Sequence, residues 1–185
     1  MTQSVRADAP FVLMLTGPSG AGKSTVARAW ADAQPSVTAW ISTDALRETI
    51  RSGRAQPDKD WNEEAERQWW LAADLASGTI RTYLRAGVTC VLDTYAPPMR
   101  DDPWDGRLAG LPVVRIDIVP DLESCLRRNA VRDAYRLDEA ALRRNHDDYC
   151  WSITRFPQPN VIDSSRMTEA ETVLAVELAV AASGR

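Results

Sequence analysis

The chain has 185 residues, of which 44% are hydrophobic and 26% charged, so it is long enough to bury a core without disulfides or structural metals. Its formal net charge of −4 argues against the coating of nucleic acids, which needs a dominant basic surface, although a small basic cleft stays compatible with it. No apolar run approaches the roughly 20 residues of a membrane span, and no signal-peptide pattern opens the chain. We therefore expect one cytoplasmic domain that covers residues 1–185.

Continuous apolar runs alternate with helical patterns along the first half of the chain. Residues 11–15 (FVLML) are apolar on both faces, which is typical of a buried parallel strand. The predicted elements that follow are a helix over 23–33, a strand near 37–41, a helix opening around Asp44 and a helix from about 61 to 85, ended by Gly87. The order in this half is therefore strand, helix, strand, helix, helix.

The second half continues the alternation. Residues 88–92 (VTCVL) predict a strand that ends at Asp93, and residues 113–119 predict another that ends at Pro120. The remaining predicted elements are a helix beginning at Asp121, a helix over 138–151, a short strand over 160–162 and a terminal helix over 168–182, with Thr168 and Glu171 as a capping box. Strands alternating with helices predict an α/β fold of three layers, in which helices cover both faces of a parallel sheet.

A sheet of this kind binds ligands at the carboxyl ends of its strands. Polar residues gather where the predicted strands end, at 16–17, 42–44, 93–95 and 163. The candidate functional site is therefore expected at this edge of the sheet.

Residues 17–24 (GPSGAGKS) match the phosphate-binding pattern G-x-x-x-x-G-K-S/T in full and lie between the first strand and the first helix. Glycines at these positions allow backbone amides to close around phosphate oxygens. Lys23 would bring a positive charge to the β- and γ-phosphates, and the Ser24 hydroxyl would bind Mg²⁺. We predict that ATP and Mg²⁺ are the cofactors, with the nucleotide held by Gly17, Pro18, Ser19, Gly20, Ala21, Gly22, Lys23, Ser24 and Thr25.

The segment ISTDALRE, at the end of the second predicted strand, supplies candidates for binding a phosphoryl acceptor. A carboxylate on Asp44 can orient an acceptor hydroxyl and take its proton. The same residue also suits the N-cap of the following helix, and the two roles are compatible. Arg47 lies one turn further on, where its guanidinium can bind a phosphate or carboxylate of the acceptor, or simply pair with a nearby acid.

The end of the strand VTCVL provides a second carboxylate. Asp93 has the position expected for a Mg²⁺ ligand beside Ser24, although strand ends also favour turn residues of this type. The proline-rich tract 94–104 (TYAPPMRDDPW) predicts a loop over the acceptor pocket, with Tyr95, Arg100 and Trp104 as candidate contacts. Three tryptophans near predicted loops, Trp61, Trp104 and Trp151, are candidates for stacking on an aromatic acceptor, whereas Trp69 and Trp70 fit the helical core pattern.

Four arginines, at positions 127, 128, 132 and 136, occur within ten positions. The spacing of four between Arg128, Arg132 and Arg136 predicts one helical face. An arginine that reaches the transferring phosphoryl group stabilises the charge spread over its oxygens, so we predict a catalytic role for Arg128 and Arg132. The alternative is a solvated face whose arginines pair with neighbouring acids.

The motifs GPSGAGKST, STDALRE and VLDT, followed by the arginine-bearing stretch, resemble the small kinase-like branch of the P-loop NTPases. This branch includes AAA_33-type proteins, the kinase domain of polynucleotide kinases, adenylylsulfate kinase, chloramphenicol phosphotransferase and zeta-toxin-like kinases. The resemblance extends from Phe11 to about Ala182. It implies a parallel sheet of five strands in the order 2-3-1-4-5, a lid over about residues 127–137, and Asp44 as the general base.

An ATP-dependent phosphotransferase acting on a hydroxyl of a small molecule is the function that these features favour. The absence of an N-K-x-D motif argues against a GTPase. A polynucleotide 5′-hydroxyl kinase is the nearest alternative, because the D-x-x-R spacing of Asp44 and Arg47 is similar to that of polynucleotide and adenylylsulfate kinases. An ATP-binding switch without an acceptor, hydrolysing ATP slowly, is the alternative from another class.

Overall fold

The computed structural model describes residues 9–131 and 136–185, which form strands that alternate with helices. The strands are β1 (Val12–Thr16), β2 (Thr38–Ser42), β3 (Thr89–Asp93), β4 (Val113–Ile118) and β5 (Val161–Ile162). The helices are α1 (Lys23–Ala33), α2 (Thr43–Glu48), α3 (Glu63–Arg85), α4 (Pro103–Arg107), α5 (Leu122–Ala130), α6 (Glu139–Arg155) and α7 (Glu169–Ala182). No helix in these ranges has both the length and the apolar character needed to cross a membrane.

The strands form one sheet of five parallel strands in the order β2-β3-β1-β4-β5, which confirms the predicted α/β fold and strand order. In the register, Asp93 at the end of β3 lies beside Leu15 of β1 and Ser42 of β2, and Thr16 lies beside Asp117 of β4. The last residues of these four strands therefore meet at one edge of the sheet.

Each face of the sheet supports its own apolar core, because successive side chains of a strand point to opposite faces. Leu13 and Leu15 of β1 belong to the core that α1 and α7 cover, where Trp30 is 2% exposed. Val12 and Met14 belong to the core that α3 and α4 cover. Both faces of β1 are thus buried, which explains why its sequence is a continuous apolar run.

Three details differ from the sequence-based expectations. The tract predicted as an irregular loop ends in the short helix α4, because Asp102 accepts a hydrogen bond from the Trp104 amide and Pro103 suits the first helical turn. Helix α6 continues to Arg155, beyond the predicted end at 151. Helix α5 ends at Ala130 and Arg136 lies outside the helices, so the prediction that Arg128 and Arg136 share one helical face is wrong, whereas Arg132 lies outside the described residues.

A buried polar network replaces the apolar core beneath the carboxyl edge of the sheet. The guanidinium of Arg115 contacts Asp117 at 3.0 Å and Asp102 at 3.2 Å, and it donates to the Ala96 carbonyl oxygen at 2.6 Å. The hydroxyl of Tyr149, on α6, donates to Asp117 at 2.6 Å. The network therefore joins β4, the loop after β3, the N-terminus of α4 and helix α6.

The Arg115–Asp117 pair should contribute strongly to stability. We expect Arg115→Met to lower the free energy of unfolding by about 3–5 kcal/mol, because it leaves the fully buried Asp117 carboxylate without its cationic partner. Urea unfolding followed by tryptophan fluorescence measures this change. The exposed Arg143–Glu139 pair is the control, and Arg143→Met should change stability by less than about 1 kcal/mol. Equal effects of the two substitutions would contradict a structural role for the buried pair.

Candidate active site

The predicted phosphate loop connects the end of β1 to the start of α1. Gly22 is the N-cap of α1 and has a φ of 91°, and Gly20 has a φ of 79°, both in the left-handed region that favours glycine. A Cβ added to Gly20 would lie 2.6 Å from the Cys125 carbonyl oxygen. Residues 19–26 line a cleft of about 1010 Å³. The glycines are therefore required by the backbone path that brings this loop and the α1 N-terminus to the cleft.

The Lys23 side chain is held by a hydrogen bond to the backbone of its own loop. Its ammonium donates a hydrogen bond to the Pro18 carbonyl oxygen at 2.9 Å, and the residue lines the cleft. This contact keeps a positive charge beside the backbone of the phosphate loop, where a bound polyphosphate would need it.

Asp93 is a buried carboxylate with one unsatisfied oxygen. The residue is 4% exposed, and its Oδ2 atom has no hydrogen-bond partner among the described residues. Burial raises the pKa of Asp93, although the charge of Lys23 and the hydroxyl of Ser24 act in the opposite direction. A buried carboxylate oxygen without a donor, with a hydroxyl next to it, is a donor set that fits Mg²⁺.

Few protein side chains in the described part of the chain are placed to bind a metal ion at this site. Within residues 9–131 and 136–185, no group of three or more His, Cys, Asp and Glu side chains is arranged to hold a metal ion. Mg²⁺ in nucleotide sites is usually bound by one or two protein oxygens together with phosphates and water. Ser24 and Asp93 are the residues that would hold it, and the ion would neutralise charge on the phosphates.

Asp44 lies in the first turn of α2 and faces the cleft. Its side chain is 70% exposed and contacts the Arg47 guanidinium at 3.4 Å. The N-cap of α2 is Ser42, whose hydroxyl accepts a hydrogen bond from the Ala45 amide. Capping, the alternative role of Asp44, is thus taken by another residue, which leaves the Asp44 carboxylate open to the cleft.

Arg47 is more enclosed than its partner. Its side chain is 15% exposed, and its Nε atom is buried without a hydrogen-bond partner in the described part of the chain. The guanidinium carbon lies 5.2 Å from the centre of the Trp69 ring, a cation–π distance. The structure therefore places an incompletely paired cation at the wall of the cleft, between Asp44 and an aromatic ring.

The other predicted acceptor contacts divide into two groups. Tyr95 is half-buried and Trp104 is buried, and both line the cleft. Arg100 is exposed and is not part of the cleft lining. Trp61 lies at the cleft, whereas Trp151 is 65% exposed on α6 and lies outside it. Trp69, which the helical pattern assigned to the core, lines the cleft instead.

Arg128 contacts the phosphate loop rather than open solvent. Its guanidinium donates to the Ala21 carbonyl oxygen at 3.0 Å and to the Ser164 carbonyl oxygen at 2.7 Å. In this structure Arg128 therefore joins the phosphate loop to the chain after β5. Arg132, the other arginine predicted to be catalytic, lies outside the described residues. The catalytic roles of both arginines stay predictions.

Asn145, on α6, is a site residue that the sequence analysis missed. Its Oδ1 atom accepts a hydrogen bond from the Ser19 amide of the phosphate loop at 2.6 Å. Ala141, Arg144 and Asp148 line the cleft on the same helix. Their spacing of three and four residues places them on one helical face. This pattern is present in the sequence, but the sequence alone does not show that this face of α6 lies at the phosphate loop.

The fold and this site together define a P-loop protein. The family model AAA_33, described as an AAA domain, matches residues 12–150, and the chain belongs to this family. The resemblance seen in the sequence motifs is thereby confirmed. A search of curated proteins gives no match.

Several solved structures share the fold at low sequence identity. The Deinococcus radiodurans tunicamycin resistance protein is 16% identical with a TM-score of 0.66, over 92% of this chain and 95% of that one. Shikimate kinase from Acinetobacter baumannii, in complex with shikimate, is 16% identical with a TM-score of 0.62, over 95% and 96% of the two chains. A chain of the Pnkp1/Rnl/Hen1 RNA repair complex is 13% identical with a TM-score of 0.64, over 91% of this chain and 54% of that one.

Asp93 should make nucleotide binding depend on the metal. We expect Mg·ATP to raise the melting temperature of the wild type more than ATP with a chelator does, because a ligand stabilises the state that binds it. Asp93→Asn should lose this difference, since it removes the charge of the unsatisfied buried carboxylate. Differential scanning fluorimetry measures the shifts. Asp105→Asn, an exposed change outside the cleft, should retain the difference, and its retention in Asp93→Asn would contradict the metal role.

Asn145 should compete with phosphate for the Ser19 amide. Asn145→Ala removes the side chain that accepts from this amide, so we expect it to tighten ATP binding by about threefold to tenfold. Asn145→Asp should weaken binding, because it places a negative charge beside the phosphate loop. Calorimetric titration with ATP measures both affinities. Weaker binding by Asn145→Ala would instead show that Asn145 supports the loop in its nucleotide-bound form.

Proposed function

We propose that this protein is an ATP-dependent kinase that moves the γ-phosphoryl group of Mg·ATP to a hydroxyl of a small molecule. The observation that carries the proposal is that the phosphate loop and the exposed Asp44 carboxylate line the same cleft. A nucleotide-binding loop alone serves switches and motors as well as kinases. A carboxylate open to the same cleft adds the group that an acceptor hydroxyl requires.

Each side chain has a defined role in this proposal. Asp44 takes the proton of the acceptor hydroxyl while the oxygen of that hydroxyl forms a bond to the γ-phosphorus. The bond from the γ-phosphorus to the bridging oxygen breaks, and ADP leaves with that electron pair. Lys23 stabilises the charge on the phosphate oxygens, and Arg128 and Arg132 are the candidates to do so from the predicted lid. Ser24 and Asp93 would hold Mg²⁺, which would neutralise charge on the phosphates, and Arg47, with Tyr95, would hold the acceptor.

A polynucleotide 5′-hydroxyl kinase fits the cleft less well. The cleft lining includes the cations Arg47, Arg54 and Arg144, but also the acids Glu48, Asp58 and Asp148. These carboxylates would repel a phosphodiester backbone, which is bound mainly through cations. The net charge of −4 points the same way. A small acceptor is therefore the better interpretation.

Asp44→Asn should separate phosphoryl transfer from nucleotide binding. We expect transfer to fall at least about 100-fold, the usual effect of losing a general base. The affinity for ATP should stay within about threefold of the wild type, because the phosphate loop and Lys23 are unchanged. The assay follows label from γ-labelled ATP into sugars, nucleosides and 5′-hydroxyl oligonucleotides, with affinity measured by titration.

Asp105→Asn is the matched control, since Asp105 is also an exposed acid in the first turn of a short helix but lies outside the cleft. It should transfer phosphate like the wild type. If no acceptor takes up label and Asp44→Asn hydrolyses ATP at the wild-type rate, the kinase proposal fails in favour of an ATP-binding switch. Label found only on oligonucleotides would instead establish the polynucleotide kinase.

A further inference from the structure

Three aromatic rings form a continuous row along the wall of the cleft. The Trp61 and Trp69 ring centres are 5.8 Å apart, and those of Trp69 and Tyr95 are 6.0 Å apart, each pair in an edge-to-face arrangement. All three residues line the same cleft as the phosphate loop. We call Trp61, Trp69 and Tyr95 the aromatic row.

The aromatic row begins close to the proposed general base. Arg47 lies over the Trp69 ring at 5.2 Å and contacts the Asp44 carboxylate at 3.4 Å, so one side chain separates the row from Asp44. Tyr95 is only two residues beyond Asp93 in the chain. A molecule of nucleoside size that packs against Trp69 therefore has its other end within reach of Asp44.

The inner end of the row is fixed by the buried polar network. The ring centre of Tyr95 is 5.7 Å from that of Tyr149, which is fully buried and donates to Asp117. The outer end is different, because Trp61 is 54% exposed. The row is thus held in place at its Tyr95 end and exposed at its Trp61 end, and a surface that is ordered before binding lowers the entropy lost when a ligand packs against it.

The side chains around the row suit a flat apolar group better than a polyol. The residues that follow Tyr95 in the chain include Ala96, Pro97 and Met99, which also line the cleft and offer no polar side-chain atoms apart from the Met99 thioether. A ring-free polyol would place hydroxyls against this apolar surface, where each lost hydrogen bond to water is unfavourable. A flat unsaturated ring packs on aromatic side chains through stacked or edge-to-face contacts.

We propose that the acceptor is a hydroxylated compound that carries a flat unsaturated ring, such as a nucleoside or an aryl glycoside, and that the aromatic row binds this ring. The proposal rests on the proposed kinase function. In it, the ring packs against Trp61 and Trp69, and the hydroxyl-bearing part of the acceptor extends past Arg47 toward Asp44. The aromatic row thus selects the acceptor, whereas Asp44 acts on it.

Matched ligands test the ring requirement. Uridine and phenyl β-D-ribofuranoside carry a flat unsaturated ring on a ribose, and methyl β-D-ribofuranoside has the same sugar with a methyl group in place of that ring. Calorimetric titration of the full chain, saturated with Mg·ADP, should show the two ring-bearing ligands binding at least about tenfold tighter than the methyl riboside. Equal affinity for the three ligands would overturn the proposal.

Matched variants locate the effect at the aromatic row. Trp61→Ala should weaken phenyl riboside binding by about 5- to 100-fold and leave the affinity for methyl riboside unchanged. Trp61→Phe should retain most of the affinity, because it keeps a ring. Trp61 is 54% exposed, so its truncation removes little core packing, and Trp151→Ala is the control at a tryptophan that is 65% exposed but lies outside the cleft. An equal loss in Trp61→Ala and Trp151→Ala would overturn the proposal.

Transfer from γ-labelled ATP distinguishes this proposal from the kinase function itself. If acceptors without an unsaturated ring, such as gluconate or methyl β-D-ribofuranoside, are phosphorylated with a higher kcat/KM than the acceptors that carry one, the kinase stands and the ring proposal is overturned. If the phenyl riboside binds through Trp61 but no acceptor is labelled, the aromatic row binds rings and the kinase function fails. With a ring-bearing acceptor that is phosphorylated, Trp61→Ala should raise KM and leave kcat nearly unchanged.

Discussion

The buried contact between Arg115 and Asp117 is the constraint on which the geometry of the cleft depends. Ligands bind at the carboxyl edge of a parallel α/β sheet, where polar groups are therefore expected. Several polar groups at this edge are nevertheless buried away from solvent. Burial alone would lower the pKa of Arg115, but Asp117, Tyr149 and Asp102 together raise it, so the guanidinium stays charged. Because an unpaired buried charge is strongly destabilising, the strand, the loop, helix α4 and helix α6 that share this network are held in one arrangement.

The proposed ligand-binding groups of the cleft are not fully satisfied by the fold. Burial raises the pKa of Asp93, and within residues 9–131 and 136–185 one of its oxygens has no donor and the buried Nε atom of Arg47 has no acceptor. A bound metal ion would give the free carboxylate oxygen of Asp93 a partner, and an anionic or polar substrate would accept a hydrogen bond from the Arg47 Nε–H. Polar groups that lack a hydrogen-bond partner and lie at a cleft are typical of functional sites, where the fold is less stable than it could be but the groups are available to bind a ligand.

Sequence patterns sufficed for the parts of the protein that depend on local chemistry or on continuous burial. The apolar runs at β1 and β3 identify strands that are buried on both faces, and the phosphate loop follows from glycines that its backbone requires. Contacts between distant segments were not predictable. Asn145 is 126 residues from Ser19, and its role depends on how α6 returns to the sheet. Trp69 was assigned to the core because a helical pattern does not distinguish a side chain that faces a core from one that faces a cleft.

The two halves of the cleft are under different physical constraints. In the phosphate half, binding depends on backbone amides and glycine geometry, so few sequences are compatible with it. In the proposed acceptor half, the walls come from α2, the first half of α3 and the loop after β3, where side chains can change without altering the strand order. The solved structures at 13–16% identity share the fold with this chain, and a shared fold does not determine the acceptor. The proposed acceptor accordingly depends on Arg47 and the aromatic row rather than on the fold.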